Sequence, residues 1–418
     1  MASSLEWERL EARKWMFSAL EVGGSAALGG DVRLEVEPRT TVLVGRNGAG
    51  KSALLERIHT GAFGATGVVQ EARPDPNRFA VEVHLRRDSS LVFRYECRWR
   101  PPAAPDSPGH LPPGGIDEQG AAYDANFAEI EETCRILKDH VLWQLAGEAL
   151  WRSDGTTDSV PRGRGLLNWW LAHRKPFAFH DIVMILHHLL WPPAITYIQT
   201  GVPRAYKSRE AAILPFPWPY TRSSRWERRY EHISTNVRHL TLTLAKWHQT
   251  ERAPLDELIE VGRRVRIFND LQVSLFPNPE HSADPRVNEQ LAAVSVDGVN
   301  LGLLSDGTMR VLEILTALVS PEVSLLFIEE PEIAVHPGLL ARLLAEIDAY
   351  STDRQIILST QSPQVVSWAR PEALRLVERS GGVTQVRSLN DEERAHIHRY
   401  LDDEGTLGDF IYSGALDG

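Results

Sequence analysis

The pattern of apolar and polar positions predicts short strands in the first hundred residues of the chain. Three such runs are 14–20 (KWMFSAL), 31–37 (DVRLEVE) and 40–45 (TTVLVG). Residues 52–63 (SALLERIHTGAF) predict a helix, because their leucines and isoleucine fall on one helical face. The alternating runs 78–87 and 91–100 flank the short segment Asp-Ser-Ser and predict an antiparallel hairpin.

The middle of the chain has a different pattern. Residues 101–115 (PPAAPDSPGHLPPGG) predict a loop or linker, and the spacing from about 122 to 275 is mostly helical. Helical spacing is clearest at 126–151 and 254–271. The most apolar window, 177–197, contains an aspartate and three histidines and is broken by two prolines. It therefore predicts a buried core helix and no membrane span.

Strands and helices alternate in the last third of the chain. Residues 291–304 predict a hairpin with the tight turn Asp297-Gly298. A helix, a strand, a helix, a strand and a helix are then predicted at 307–320, 323–330, 337–350, 354–361 and 363–369. This alternation predicts a parallel sheet with helices on its faces.

Together these patterns predict an α/β fold split by a large, mostly helical insertion. The predicted core is a mixed sheet flanked by helices, with an additional antiparallel β-subdomain. We expect an N-terminal lobe over 1–100, the insertion over 101–290 with a linker at 101–121, and a C-terminal lobe over 291–418.

Composition narrows the class of protein. The 418 residues carry a net charge of -11, so nucleic acid would have to be bound by a local basic patch. Two cysteines, Cys97 and Cys134, indicate neither a disulfide framework nor a zinc site. A reducing cytoplasm is the expected location. The charged start of the chain lacks the apolar core of a signal peptide.

The chain contains a phosphate-loop motif, G-x-x-x-x-G-K-[ST], between a predicted strand and a predicted helix. Gly48 and Gly50 allow the backbone to curl so that successive N–H groups point at phosphates. Lys51 reaches the β- and γ-phosphates, and Ser52 offers a hydroxyl to Mg²⁺. A chance glycine-rich turn is the alternative, and the strand-loop-helix context disfavours it. The predicted loop residues are Gly45, Asn47, Gly48, Ala49, Gly50, Lys51 and Ser52.

Two glutamates follow an apolar run that predicts a buried strand. In residues 323–330 (VSLLFIEE), Glu329 and Glu330 lie at the carboxyl end, the edge where α/β folds bind ligands. We assign Glu329 to Mg²⁺ and Glu330 to the general base that activates the attacking water. A solvated acidic loop is the alternative.

A third motif, LLSDGTMR at residues 303–310, precedes a predicted helix. Ser305 is a candidate N-cap, and Gly307 follows it at the helix N-terminus, an arrangement that favours anions. A simple helix cap is the alternative. The position of the motif about twenty residues before the acidic strand favours a nucleotide site.

The order GRNGAGKS, LSDGT, LLFIEEPE, HP, STQSP resembles an ABC-type ATPase head. It is most similar to the bacterial group that includes the ATPase domains of overcoming-lysogenization-defect (OLD) nucleases, RecF and SMC-like proteins. The resemblance covers about residues 10–100 and 290–418. It implies an ATP-dependent head-to-tail dimer in which Ser305 and Gly307 of one copy cap the γ-phosphate bound by the other.

Several positions depart from that family's pattern. Asp306 replaces a glycine of the signature, Glu329 replaces the usual metal-binding aspartate, and Gln361 replaces the usual switch histidine. Glutamine hydrogen-bonds a γ-phosphate or water but does not shuttle a proton, so we expect slow hydrolysis. Trp15 and Phe17 are both candidates for the aromatic residue that stacks on adenine, although a position in the core is favoured for each.

The predicted insertion contains a stretch rich in basic and aromatic residues, Arg204–Tyr230. Three interpretations remain open from its composition: contact with a nucleic-acid backbone and bases, a protein interface, or a solvated basic face over an aromatic core. We expect a compact helical recognition module, because sustained coiled-coil heptads are not evident.

The function favoured by the sequence is a cytoplasmic Mg²⁺-dependent ATPase that dimerises on ATP. By resemblance it would control a separate effector, such as a nuclease, or act on DNA in bacterial anti-phage defence or DNA maintenance. The alternatives are a RecF-like repair ATPase that acts alone on DNA, and a slow ATP-sensing scaffold. A membrane-transporter ATPase is the least favoured.

Overall fold

The computed structural model describes most of the two predicted lobes and parts of the segment between them. The described residues are 14–66, 75–100, 129–136, 140–146, 149–153, 155, 157–160, 166–167, 180–190, 194–199, 213–216, 235–277, 290–402 and 405–413.

Strands and helices are both abundant in the described residues. The strands are β1 (Trp15–Ser25), β2 (Gly30–Glu35), β3 (Thr40–Val44), β4 (Arg78–Leu85), β5 (Asp88–Arg100), β6 (Glu129–Ile136), β7 (His140–Ala146), β8 (Ala149–Arg152), β9 (Thr157–Ser159), β10 (Ile195–Ile198), β11 (Ile213–Phe216), β12 (Leu271–Pro277), β13 (Gln290–Val296), β14 (Val299–Asn300), β15 (Leu325–Glu329), β16 (Gln355–Thr360), β17 (Leu374–Ser380) and β18 (Val383–Ser388). The helices are α1 (Lys51–Ala65), α2 (His180–Leu190), α3 (Thr235–Thr250), α4 (Arg252–Val265), α5 (Asp306–Val319), α6 (Pro337–Tyr350), α7 (Pro363–Trp368), α8 (Asp391–Asp402) and α9 (Leu407–Tyr412). The predicted α/β class is confirmed.

The chain divides into two compact units. The first unit comprises Met1–Tyr197, Ser324–Phe327 and Asp353–Gly418. The second unit comprises Ile198–Val323 and Ile328–Thr352. The chain thus passes between the units several times, and each unit is built from segments that are distant in sequence.

An antiparallel sheet of eight strands belongs to the first unit. Its order is β2-β1-β4-β5-β6-β7-β8-β9. The predicted hairpin of residues 78–100 is confirmed as β4 and β5, which pair in antiparallel register. Strands β6 to β9 continue the same sheet, so the predicted antiparallel β-subdomain is larger than the sequence indicated.

The helix predicted over residues 126–151 is wrong, because the described residues there form β6, β7 and β8. Ile130 and Cys134 are both buried and four residues apart, a spacing that suits a helix as well as a strand. Glu132 lies between them and is also buried. Its Oε1 accepts a hydrogen bond from the Leu166 N–H at 3.0 Å, and burial raises its pKa to about 8.

A second sheet, most of whose residues belong to the first unit, is mainly parallel. Its order is β10-β15-β16-β3-β17-β18. Strands β16 and β17 both pair with β3 in parallel register, and β18 pairs with β17 antiparallel. Backbone hydrogen bonds from Leu325 to Ala194 and from Gln355 to Ser324 join the starts of β10, β15 and β16. These strands therefore begin at one edge of the sheet and end at the other.

The apolar runs of the sequence form the core of this sheet. Val42, Leu326 and Leu358 are fully buried at the centres of β3, β15 and β16. Parallel strands that are covered on both faces carry such continuous apolar runs. Helix α2 lies within the predicted apolar window 177–197. Within the described ranges, no helix is long and apolar enough to cross a membrane.

The second unit combines helices with a small antiparallel sheet. Strand β13 pairs with β11 and β12, and the short β14 also pairs with β13. The predicted turn between β13 and β14 is confirmed: Asp297 and Gly298 have φ values of 47° and 80°. Such left-handed residues are typical of a two-residue hairpin turn. Helices α3, α4, α5 and α6 also belong to this unit.

Charged side chains form a network across β1, β2, β4 and β5. Glu21 is its centre. Arg94 and Arg78 donate hydrogen bonds to its Oε2 at 2.7 Å and 2.9 Å, and Arg33 donates to its Oε1. Arg33 and Arg94 both bind Glu82 as well. The hydrogen bond from Arg94 makes the largest contribution to lowering the pKa of the Glu21 carboxyl to about 2.

We expect the free energy of unfolding of the Glu21→Gln variant to be about 2 kcal/mol lower than that of the wild type at neutral pH. A lowered folded-state pKa stabilises the protein above the unfolded-state value, near 4.5, and this stabilisation disappears as the pH falls toward about 2. Urea unfolding of both proteins between pH 7 and pH 2 tests this. The matched control is Glu378→Gln, whose carboxylate is 62% exposed, with an expected loss under about 0.5 kcal/mol. If the difference in free energy of unfolding between the wild type and Glu21→Gln did not change with pH, the ionised Glu21 carboxylate would not be the source of the stabilisation.

Candidate functional site

The phosphate-loop motif joins β3 to α1. β3 ends at Val44, and α1 begins at Lys51. Gly48 and Gly50 have φ values of 79° and 105°, which other residues adopt only with strain. Asn47 and Gly48 are exposed, whereas Ala49 is buried. The loop therefore has the sharply curled backbone that the motif predicts.

Lys51 is buried at the start of α1, with 5% of its surface exposed. Its ammonium donates hydrogen bonds to two carbonyl oxygens of its own loop, Gly45 O at 2.5 Å and Arg46 O at 3.2 Å. The lysine is thus drawn back over the loop, and phosphate oxygens would have to replace these carbonyl partners. Ser52 is exposed at the next position.

Two strands near the end of the chain support the loop, and the sequence did not predict either contact. A Cβ atom on Gly45 would lie 2.1 Å from the Val377 carbonyl oxygen of β17, so only glycine fits there. Thr384 of β18 donates a hydrogen bond to the Ala49 carbonyl at 3.2 Å. A Cβ atom on Gly50 would lie 2.3 Å from the same threonine hydroxyl.

Gln361 directly follows β16 and is half-buried. The last paired residues of β16 and β3 are Thr360 and Val44, so Gln361 and Gly45 both follow the end of this parallel pairing. The first unit therefore brings the predicted switch residue and the start of the phosphate loop to the same edge of the sheet.

The acidic residues lie at the carboxyl end of β15 and belong to the second unit. Glu329 is the last residue of the strand and is 5% exposed. Glu330 is half-buried and has φ 43°, a left-handed conformation that is unusual for a side chain of this size. The carbonyl of Glu329 accepts a hydrogen bond from Arg310, a residue that the sequence did not single out.

The signature motif forms the N-terminus of α5 in the second unit. Ser305 is its N-cap, and its hydroxyl accepts a hydrogen bond from the Thr308 N–H at 3.2 Å. A Cβ atom on Gly307 would lie 2.1 Å from the Ala334 carbonyl oxygen, so the glycine lets α5 pack on the segment after Glu330. Asp306 is exposed.

The structure thus groups the predicted site residues into two sets. The first unit contains the loop residues, Lys51, Ser52 and Gln361, and the second contains Ser305, Gly307, Glu329 and Glu330. That both sets act on one nucleotide remains a prediction. Trp15 and Phe17 are core residues of β1, 8% and 1% exposed, and Trp15 packs against the Phe93 ring. The adenine-stacking alternative for these two residues is therefore not supported.

The basic and aromatic stretch Arg204–Tyr230 lies largely outside the described residues. Only the backbone of Ile213–Phe216 is described, as β11, which pairs with β13. The three interpretations of this stretch therefore stay open.

Residues 217–367 match the family model described as "AAA domain, putative AbiEii toxin, Type IV TA system". The matched segment includes the signature motif, the acidic strand end and Gln361, and it begins after the phosphate loop. The match supports the ABC-type AAA ATPase recognised in the sequence. The narrower OLD and RecF group remains a prediction.

Solved structures give weaker similarities. An SMC head bound to the C-terminal winged-helix domain of ScpA is 14% identical, with a TM-score of 0.44, and 91% of this chain and 99% of that chain are covered. The SMC head domain from Thermotoga maritima is 12% identical, with a TM-score of 0.38 and 90% and 99% covered. The ATP-binding subunit of an ABC transporter is 14% identical, with a TM-score of 0.37 and 94% and 98% covered. No curated protein matches the chain in sequence.

We expect alanine to be tolerated worse at Gly50 than at Gly48. Both have positive φ, which costs about 1 kcal/mol or more, but only Gly50 also meets Thr384, whereas a Cβ at Gly48 meets open space. Chemical unfolding should show a loss of about 2–4 kcal/mol for Gly50→Ala and about 1 kcal/mol for Gly48→Ala. Adding Thr384→Ala to Gly50→Ala should restore part of the loss. Equal losses at both glycines would contradict the packing described here.

Proposed function

We propose that the chain is a Mg²⁺-dependent ATPase, and that the residue sets of its two units act on the same nucleotide. The observation that carries the proposal is the phosphate loop, with its two left-handed glycines between β3 and α1. Alanine at Gly50 would clash and strain the curl, so the loop residues fit a cradle for phosphate groups. The AAA-domain match over the signature and acidic motifs supports the same activity.

Strand order supports a shared nucleotide. Leu325–Phe327 of β15 lie in the same sheet as β3, with β16 between them. The phosphate loop follows β3 and Gln361 follows β16, and the acidic pair lies at the carboxyl end of β15. In α/β folds, ligands bind at the edge formed by the carboxyl ends of the strands.

Each residue has a defined role in the proposed reaction. Lys51 and the loop N–H groups bind the β- and γ-phosphates, and Gln361 orients the γ-phosphate or the attacking water. Glu330 accepts the proton of that water. Mg²⁺, held by Ser52 and Glu329, would neutralise charge on the phosphate oxygens when bound.

The oligomeric switch and its output are part of the proposal. ATP joins two copies head to tail, with Ser305 and Gly307 of each copy capping the γ-phosphate on the other, and hydrolysis releases them. Ser305 supports this role because its exposed hydroxyl lies at a helix N-terminus, which favours anions. The controlled effector is a separate protein, such as a nuclease, or DNA itself, in a bacterial anti-phage or DNA-maintenance system of the cytoplasm.

We expect Lys51→Ala to lose ATP binding and Glu330→Gln to retain it. The lysine contributes charge to binding, whereas the glutamate acts in the chemical step, so turnover by Glu330→Gln should fall about 100- to 1000-fold. Isothermal titration with ATP and Mg²⁺, together with phosphate release, measures both effects. Equal turnover of the wild type and Glu330→Gln would remove Glu330 as the base, and turnover that is absent in both would favour an ATP sensor.

The dimer is tested separately with Ser305→Arg, which places a bulky side chain at the proposed contact between copies. Analytical ultracentrifugation of Glu330→Gln with ATP and Mg²⁺ should show a dimer, because slow hydrolysis preserves the bound nucleotide. The double variant Ser305→Arg/Glu330→Gln should bind ATP with similar affinity and remain monomeric. A dimer of that double variant would contradict the proposed arrangement.

A further inference from the structure

Arg310 is a buried arginine in a mostly apolar helix. It is 8% exposed, and its neighbours Met309 and Val311 in α5 are buried apolar residues. Moving a guanidinium ion out of water is strongly unfavourable unless good hydrogen bonds replace its hydration. The partners of Arg310 therefore indicate its role in the second unit.

The guanidinium of Arg310 donates to backbone carbonyls from two other parts of the second unit. One nitrogen donates to Gln199 O at 2.8 Å, and the other donates to Ile198 O at 3.3 Å and to Glu329 O. Ile198 ends β10 and Glu329 ends β15, and these strands are neighbours in the sheet. Arginine suits this arrangement because its planar fork holds donors on separate nitrogens in a fixed geometry, whereas the three donors of lysine share one nitrogen.

The carbonyl held by Arg310 belongs to the peptide bond that leads into Glu330. Glu330 has φ 43°, a left-handed conformation that strains the backbone of a non-glycine residue. Rotation of this peptide plane would relax the conformation and redirect the Glu330 side chain. The hydrogen bond from Arg310 to the Glu329 carbonyl opposes that rotation.

We propose that Arg310 is a positioning residue for the Glu330 carboxylate. It fixes the peptide between Glu329 and Glu330, and so aims the carboxylate at the water that attacks ATP. The inference rests on the proposed function, because it needs Glu330 to be the base. A general base displaced by about 1 Å loses up to about 100-fold in rate.

The test compares Arg310→Met and Arg310→Lys with the wild type and with Glu330→Gln. We expect Arg310→Met to lower kcat about 30- to 100-fold, while the Kd for ATP changes less than about threefold, because the phosphate loop is unaltered. Arg310→Lys should be intermediate, since lysine retains a donor but loses the fork. In single-turnover assays, adding Arg310→Met to Glu330→Gln should slow hydrolysis less than about twofold further.

The matched control is Arg264→Met in the same unit. Arg264 binds Glu346 of α6 through two hydrogen bonds and is 53% exposed, so kcat should remain within about twofold of the wild type. Thermal unfolding establishes which variants fold. If Arg310→Met does not fold, the kcat of Arg310→Lys is compared with that of the wild type instead.

Two results overturn the role of Arg310. One is a folded Arg310 variant with the kcat of the wild type. The other is a double variant whose loss in hydrolysis rate equals the product of the losses of Arg310→Met and Glu330→Gln. These results are distinguishable from failure of the proposed function. If the wild type does not hydrolyse ATP, both the proposed function and the positioning role are wrong. If Glu330→Gln loses turnover and Arg310→Met keeps it, only the positioning role is wrong.

Discussion

The pairing of β3 with β16 and β17 is the constraint on which the rest of the structure depends. It joins the first fifty residues of the chain to residues beyond 350 in one parallel sheet. The same sheet also supports the phosphate loop. Thr384 of β18, the strand that pairs with β17, donates a hydrogen bond to the Ala49 carbonyl across 335 residues of sequence. Gly45 fits only because it has no side chain to clash with the Val377 carbonyl of β17. A short motif is thus held by long-range contacts.

Local signals explain which features the sequence predicted well. The phosphate-loop motif, the Asp297-Gly298 turn and the Ser305 cap are each signalled by a few adjacent residues with strong backbone preferences. The strands and helices between residues 307 and 369 follow from apolar runs of clear length and period. At these elements the local preference agrees with the tertiary pairing that the structure shows.

Buried polar residues explain what the sequence did not predict. Glu132 occupies an inward position of β6 between Ile130 and Cys134. The two apolar residues are therefore four positions apart, a spacing that is also typical of a helix. Arg310 is buried in α5, and its partners come from β10 and β15, more than a hundred and about twenty residues away. Thr384 and Val377 likewise approach the loop from strands that no local pattern connects to it. Such contacts follow from tertiary pairing alone.

The central claim is that residues of both units act on one ATP molecule. It is tested most directly by a structure of the Glu330→Gln variant with ATP and Mg²⁺. The account predicts the γ-phosphate within hydrogen-bond distance, about 3 Å, of the Lys51 ammonium, and the residue 330 amide facing the water in line with that phosphate. A nucleotide bound away from Lys51, or one that contacts Lys51 while residue 330 lies beyond reach of its γ-phosphate, would contradict it.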